Sequence, residues 1–84
     1  MEIAGITVCD SDMLDLADIL RNAGSYATAE HIETTVLAYK PHINLTPDER
    51  DQLLSALLAL PDGELAELRT TLRMDRAWRH ARGL

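Results

Sequence analysis

Apolar side chains recur along this chain in the order strand, helix, helix, and that order occurs twice. β-Branched residues dominate positions 2–8 and predict a short strand, although Gly5 weakens it. Positions 11–23 and 25–39 place apolar residues three and four apart, which predicts two helices that each bury one face. Gly24 separates these helices, because a glycine in the left-handed conformation commonly ends a helix.

The second half of the chain repeats the same order of elements. Positions 42–45 alternate apolar and polar residues, which predicts a second short extended segment. A Thr-Pro-Asp-Glu sequence at 46–49 has the features of a capping box with proline in the first helical turn. The helix that it begins runs to about position 60, where Pro-Asp-Gly at 61–63 predicts a turn. A last helix starts at about 63 or 64 and continues to about 81.

The two halves of the chain, 1–40 and 41–84, align with an offset of 37 residues. Two strand-helix-helix units can pair their strands and cover one face of the resulting ribbon with four helices, because a two-stranded ribbon alone is marginal in water. We therefore predict a single small domain over 1–84 of the α+β class, predominantly α, with a βααβαα pseudo-repeat, two short strands and four helices. The alternative is a helical bundle with two extended connectors.

The helix predicted over 46–60 carries more apolar residues than one buried face needs. Leu53 and Leu57 lie on one stripe, whereas Leu54 and Leu58 lie about 100° around the helix. A small domain with one thin sheet has little to cover the second stripe. We therefore expect Leu54 and Leu58 to contact a partner; the alternative is that they are internal.

The last predicted helix also carries two apolar stripes. Leu68 and Leu72 lie on the first, and Met74 and Trp78 lie on a second that is more than about 100° away. Either this helix bends near residues 73–75, or its two halves contact different surfaces. Because tryptophan is enriched at interfaces and methionine adapts to them, we expect Met74 and Trp78 to belong to an interface; the alternative is that Trp78 is internal.

Charge is unevenly distributed along the chain. Positions 1–64 hold twelve acidic and three basic residues, whereas 65–84 hold five arginines and two acidic residues, and the formal net charge is −6. The arginines of the last helix could contact an anion, or could pair with the chain's own acids. The candidates for anion contact are Arg69, Arg73, Arg76 and Arg79. A negative field over most of the chain disfavours non-specific binding to nucleic acid.

No residue pattern predicts an enzyme, a metal site or a cofactor. The side chains that could bind a metal lack the close pairs that zinc sites use, and they are Cys9, Asp10, His31, Glu33, His42 and His80. Cys9 stands between a strand and an acid-rich helix, where Asp10 and Asp12 oppose formation of a thiolate. We therefore expect Cys9 to be a small buried residue and not a nucleophile.

The sequence also bears on the compartment. A single cysteine cannot form an internal disulfide, which fits a reducing compartment. The first residues lack the basic and apolar regions of a signal peptide, and no apolar run is long enough to span a membrane. These features predict a cytoplasmic protein without a membrane partner.

Several segments together carry a resemblance that covers most of the chain. They are Ile-Ala-Gly-Ile-Thr-Val at 3–8, Leu-Ala-Asp-Ile-Leu-Arg-Asn-Ala-Gly at 16–24, Thr-Ala-Glu-His-Ile-Glu at 28–33, Leu-Thr-Pro-Asp-Glu-Arg at 45–50, Leu-Ala-Glu-Leu-Arg at 65–69, and the closing Trp78, Arg79 and Gly83-Leu84. In this order they resemble a family of small actinobacterial proteins of unknown function. The resemblance implies no activity.

The sequence therefore favours a non-enzymatic function. We predict a small protein-interaction or adaptor module that forms a homodimer or binds another protein through Leu54, Leu58, Met74 and Trp78. The alternative is a small DNA-binding regulator that uses the arginines of the last helix. Against this alternative, Glu64 and Glu67 lie early in the would-be recognition helix, where acidic side chains repel phosphate.

Overall fold

All four predicted helices are present. The structure is a computed structural model that describes residues 1–60, 63 and 65–83. The helices are α1 (Asp10–Asn22), α2 (Tyr26–Leu37), α3 (Pro47–Leu58) and α4 (Ala66–Ala81). The predicted α+β class, predominantly α, is confirmed. The turn predicted at 61–63 and the helix start predicted at 63 or 64 fall partly on residues 61, 62 and 64, which lie outside the described residues.

The strands form one small sheet that joins the two halves of the chain. The strands are β1 (Glu2–Ile3), β2 (Ile6–Thr7) and β3 (His42–Ile43), in the spatial order β2-β1-β3. β1 pairs antiparallel with β2 and parallel with β3, so that Ile3 lies opposite Ile43. The predicted pairing of the two extended segments is therefore confirmed, and the bundle with unpaired connectors is excluded.

The segment predicted as a single strand at 2–8 is a hairpin of two strands. Ala4 and Gly5 form its turn with positive φ angles of 51° and 81°, as in the two-residue turns that suit the twist of a hairpin. Glycine adopts a positive φ without steric cost. Gly5, which weakens the segment as a strand, thus folds the chain back on itself, and the sheet has three strands where two were predicted.

The start of α3 confirms the predicted capping box. The hydroxyl of Thr46 accepts a hydrogen bond from the backbone N–H of Glu49 at 3.2 Å, and the carboxylate of Glu49 accepts one from the backbone N–H of Thr46 at 2.9 Å. These two bonds satisfy N–H groups that have no partner within the helix. The residue at which α3 begins is therefore fixed by local sequence.

The buried apolar side chains form one cluster beneath the sheet and between the helices. Helices α1, α2 and α3 supply most of it, whereas α4 supplies two leucines. The largest fully buried side chains are Ile3, Val8, Met13, Leu16, Leu20, Ile32, Leu53, Leu57, Leu68 and Leu72. Over residues 1–60, 63 and 65–83, no helix combines the length and the apolar character that crossing a membrane requires.

Candidate functional site

The structure separates the four residues that were predicted to form an interface. Leu54 is only 3% exposed and belongs to the core, so its prediction as a partner contact is wrong. The reason is that α3 is contacted by α1, α2 and α4 and so buries more than one stripe. Leu58, Met74 and Trp78 are exposed, by 49%, 68% and 54%.

Helix α4 is attached to the molecule in two different ways along its length. In its first half, Leu68 and Leu72 are buried against the core. Among the described residues that follow Leu72, none is buried. Asp75 and Arg79 continue the inward stripe instead, because residues three and four apart lie on one face of a helix. The second half of α4 therefore faces α3 with charged side chains.

Ion pairs connect this second half of α4 to α3. Arg79 lies 2.6 Å from the carboxylate of Asp51 through Nη2, and 3.0 Å from that of Asp75 through Nε. Arg50 of α3 lies 3.2 Å from Asp75 through Nη1. Arg79 lies near the end of α4 and Asp51 near the start of α3, so the two helices run antiparallel.

The charges in this cluster stabilise one another. The hydrogen bond from Arg79 lowers the pKa of Asp51 below its ordinary value, although partial burial opposes it, and the positive charges of Arg79, Arg76 and His80 add to the lowering. The hydrogen bond to Asp51 in turn raises the pKa of Arg79. Both groups are therefore held in their charged forms.

Two of the four arginines predicted to contact an anion are engaged within the chain. Arg69 donates to the carbonyl oxygens of Leu57 and Leu60 at 2.7 and 3.3 Å, which satisfies backbone groups left open at the end of α3. Arg79 binds the two aspartates described above. These two arginines therefore have partners within the chain, whereas Arg73 and Arg76 are exposed. The spacing of Asp75 and Arg79, four apart on one helix, was a signal of internal pairing.

The outer face of α4 combines apolar and cationic groups. Met74 and Trp78 lie one turn apart on this face, more than about 100° from the buried Leu68 and Leu72 stripe. The guanidinium of Arg82 lies over the indole of Trp78, 5.2 Å from the ring centroid. We call Met74, Trp78 and Arg82 the Trp78 face. Because α4 is one uninterrupted helix, its two apolar stripes mark two surfaces, one of them exposed.

A groove that the sequence did not predict lies between α1 and the side chains of Leu60 and Leu65. Its volume is about 320 Å³, and it is lined by Asp12, Asp15, Leu16, Leu60 and Leu65. Asp12 and Asp15 lie three positions apart on α1, and the other three lining residues are leucines. Leu65, which lines this groove, has a positive φ of 51° just before α4. We call this the acidic groove.

Cys9 and His31, two of the remaining polar candidates, make contacts within the chain. Cys9 is exposed, and its prediction as a buried residue is wrong; its thiol donates to the carboxylate of Asp12 at 3.0 Å. His31 lies 2.9 Å from Glu49 through Nδ1. Although burial raises the pKa of Glu49, its hydrogen bonds with Thr46 and His31 outweigh that effect and lower it. Within the part of the chain that the structure describes, no three side chains are grouped to hold a metal ion.

Comparisons with protein families, with curated proteins and with solved structures found no match to this chain. The resemblance to the actinobacterial family therefore stays a prediction.

Proposed function

We propose that this protein is a non-enzymatic protein-interaction module that self-associates through the Trp78 face. The observation that carries the proposal is the exposure of Met74 and Trp78 on the outer side of α4, with the guanidinium of Arg82 over the indole. Tryptophan, methionine and arginine are the residue types that interfaces enrich. Together they occupy a face that the core of the chain does not use.

The apolar area on this face is large enough to matter for association. A tryptophan side chain can bury about 150–250 Å², and Trp78 is 54% exposed. Covering the exposed part contributes about 2–3 kcal/mol at ~25 cal/mol per Å². Hot-spot residues of protein interfaces make contributions of this size to the free energy of binding. Trp78 can therefore act as the central contact of a modest interface.

A non-enzymatic function is supported by the surroundings of the one cysteine. The Cys9 thiol faces the carboxylate of Asp12, and a neighbouring negative charge opposes the thiolate that a nucleophilic cysteine needs. A lone cysteine that is exposed also suits a reducing compartment. We accordingly propose that the protein acts in the cytoplasm.

The alternative, a DNA-binding regulator, loses two of its four arginines to contacts inside the chain. Glu67 is exposed in the first turn of α4, at the end of the helix that would approach base edges. We therefore propose a protein as the partner and not a nucleic acid.

Light scattering coupled to gel filtration tests the proposal, since it measures absolute mass. We expect the wild-type protein to reach the mass of a dimer as concentration rises, and the variant Met74→Ala with Trp78→Ala to remain a monomer. Leu37→Ala is the matched control, because Leu37 and Met74 are both 68% exposed but lie on different helices. A wild-type monomer at every concentration, or a double variant that dimerises like the wild type, would contradict the proposal.

A further inference from the structure

Helix α4 carries a stripe of five residues that extends the Trp78 face over the whole length of the helix. The residues follow one another at intervals of four, three, four and four positions, which keeps them on one side of a helix. They are Glu67, Thr71, Met74, Trp78 and Arg82, and we call them the outer stripe. None of the five is buried in the core.

The two ends of the outer stripe carry opposite charges. Glu67 is exposed in the first turn of α4, and Arg82 is exposed at its C-cap. Neither makes an ion pair with a residue in the described part of the chain, although Arg82 lies over the indole of Trp78. Positions 67 and 82 are about 22 Å apart along a helix that rises ~1.5 Å per residue. The two charges therefore cannot pair within one α4 and are open to a partner.

An antiparallel pair of these helices brings the opposite ends together. In a two-fold symmetric contact, a residue i that meets residue j of the partner is matched by j meeting i. The pairs 67 with 82 and 71 with 78 have the same midpoint, between positions 74 and 75. With the two-fold axis at that midpoint, Glu67 of one protomer faces Arg82 of the other, and Thr71 faces Trp78. The outer stripe is therefore complementary to itself.

Charge decides between the antiparallel and the parallel arrangement. A parallel pair would place Glu67 beside Glu67 and Arg82 beside Arg82, and like charges across an interface suppress such an arrangement. An antiparallel pair also places the positive N-terminal end of each helix dipole beside the negative C-terminal end of the other. The net charge of −6 makes two copies repel each other overall, so this local complementarity sets how they can approach.

We propose that two copies of this chain associate by antiparallel packing of their outer stripes. Glu67 pairs with Arg82 at each end, Thr71 lies against Trp78, and Met74 meets its own copy at the two-fold axis. This inference rests on the proposed self-association and adds the partner surface and its orientation. Five residues a side are far fewer than the ~20–30 of a standard interface, so we expect a dimer that dissociates on dilution.

Charge reversal tests the pairing at the ends. Glu67→Arg places two arginines at each end of the dimer, and Arg82→Glu places two glutamates there. We expect each single variant to raise the dissociation constant by about tenfold or more, as measured by light scattering over a range of concentrations. The double variant restores opposite charges at both ends, keeps the net charge of the wild type, and should recover most of the lost affinity.

The double variant also separates the ion pair from the contact between Arg82 and Trp78, because that contact is absent from both Arg82 variants. Glu30→Arg is the matched control for net charge. It changes the net charge by the same amount as Glu67→Arg, but at an exposed position of α2, and we expect it to leave the dissociation constant unchanged.

Disulfide cross-linking tests the orientation directly. In a Cys9→Ser background, Glu67→Cys and Arg82→Cys each place a single thiol at one end of α4. In the antiparallel dimer the thiols of one variant stay about 22 Å apart, well beyond the ~4.4–6.8 Å that a disulfide spans between Cα atoms. A mixture of the two variants brings unlike thiols together, so we expect a cross-linked dimer in the mixture and not in either variant alone. Leu37→Cys mixed with Arg82→Cys is the matched control and should give none.

The outcomes separate this inference from the proposed function. Circular dichroism checks that each variant folds, and if a reversal variant does not, the cysteine variants still test the orientation. If the wild type dimerises through Trp78 but single reversals leave its affinity unchanged, or each cysteine variant cross-links with itself, the antiparallel arrangement is overturned and the Trp78 face remains an interface. A double variant that recovers no affinity overturns the pairing of Glu67 with Arg82. If the wild type stays monomeric, the proposed self-association fails, and this inference fails with it.

Discussion

The two helix pairs of this molecule are held together by different interactions. In α1 and α2, aliphatic side chains such as Leu20 and Ile32 are at most 1% exposed and pack in the common core. In the second pair, α4 buries two leucines in its first half, and Arg79 attaches its second half to Asp51 of α3. Apolar packing joins α1 to α2. Helices α3 and α4 are joined by apolar packing at one end and by ion pairs at the opposite end.

This difference assigns stability and binding to different parts of the chain. Truncating a buried leucine or isoleucine to alanine typically costs about 2–5 kcal/mol, whereas a solvent-exposed ion pair contributes about 0–1 kcal/mol. The second half of α4 should therefore open more readily than α1 or α2. Its outer face, with Met74 and Trp78, is also not needed for the core and remains available to a partner.

The largest expected effect comes from placing a charge in α3, the helix that α1, α2 and α4 all contact. Leu54→Glu should unfold the chain, because it buries a carboxylate without a partner in the common core. Leu58→Glu, four residues later at an exposed site, should change the free energy of unfolding by no more than about 0.5 kcal/mol. Chemical denaturation of both variants measures the contrast. An unfolded Leu58→Glu would place Leu58 in the core.

A smaller, local effect should follow from breaking the ion pairs of α4. Arg79→Ala should speed amide hydrogen exchange in the second half of α4 and leave α1 and α2 unchanged, since only that half depends on the contact with Asp51. Arg73→Ala is the control, because Arg73 is exposed and makes no ion pair with any described residue. Exchange that rises equally in all helices would show that the two pairs open as one unit.

The smallest effect should be a change in the dependence of stability on pH. The pKa of Asp51 lies below its ordinary value of 3.8, so its stabilising contribution is complete well above that pH and is lost as the pH falls through the folded-state pKa. Asp51→Asn should therefore lower the melting temperature near neutral pH, and the difference from wild type should shrink below about pH 4. Glu30→Gln, an exposed change on α2, should show no such convergence. A constant difference at all pH values would contradict the role of this carboxylate.

Local signals were enough to predict the elements and their order. The capping box at Thr46 and the stop at Gly24 depend on a few neighbouring residues, and both agree with the structure. The hairpin at β1 and β2 was missed because its turn uses Ala4 with a positive φ as well as Gly5. Alanine rarely adopts that conformation, so the sequence pattern favoured one strand.

The site depends on contacts that local patterns do not encode. Leu54 and Leu58 look equivalent on a helical wheel, and their different burial follows from how many helices surround α3. Arg79 and Asp51 are 28 positions apart, so their pairing required the antiparallel packing of α3 and α4. The two stripes of α4, in contrast, were visible from the sequence, because a regular helix places Met74 and Trp78 away from Leu72.

The most direct test of the central claim, that the Trp78 face is an interface of this protein, is the emission of Trp78 in the wild-type protein during serial dilution. At high protein concentration, we predict that Trp78 emits at short wavelength and is protected from a soluble quencher. On dilution, the emission should change to longer wavelength and become fully accessible to the quencher. Emission and quenching that are the same at every concentration, with Trp78 always open to solvent, would contradict the claim.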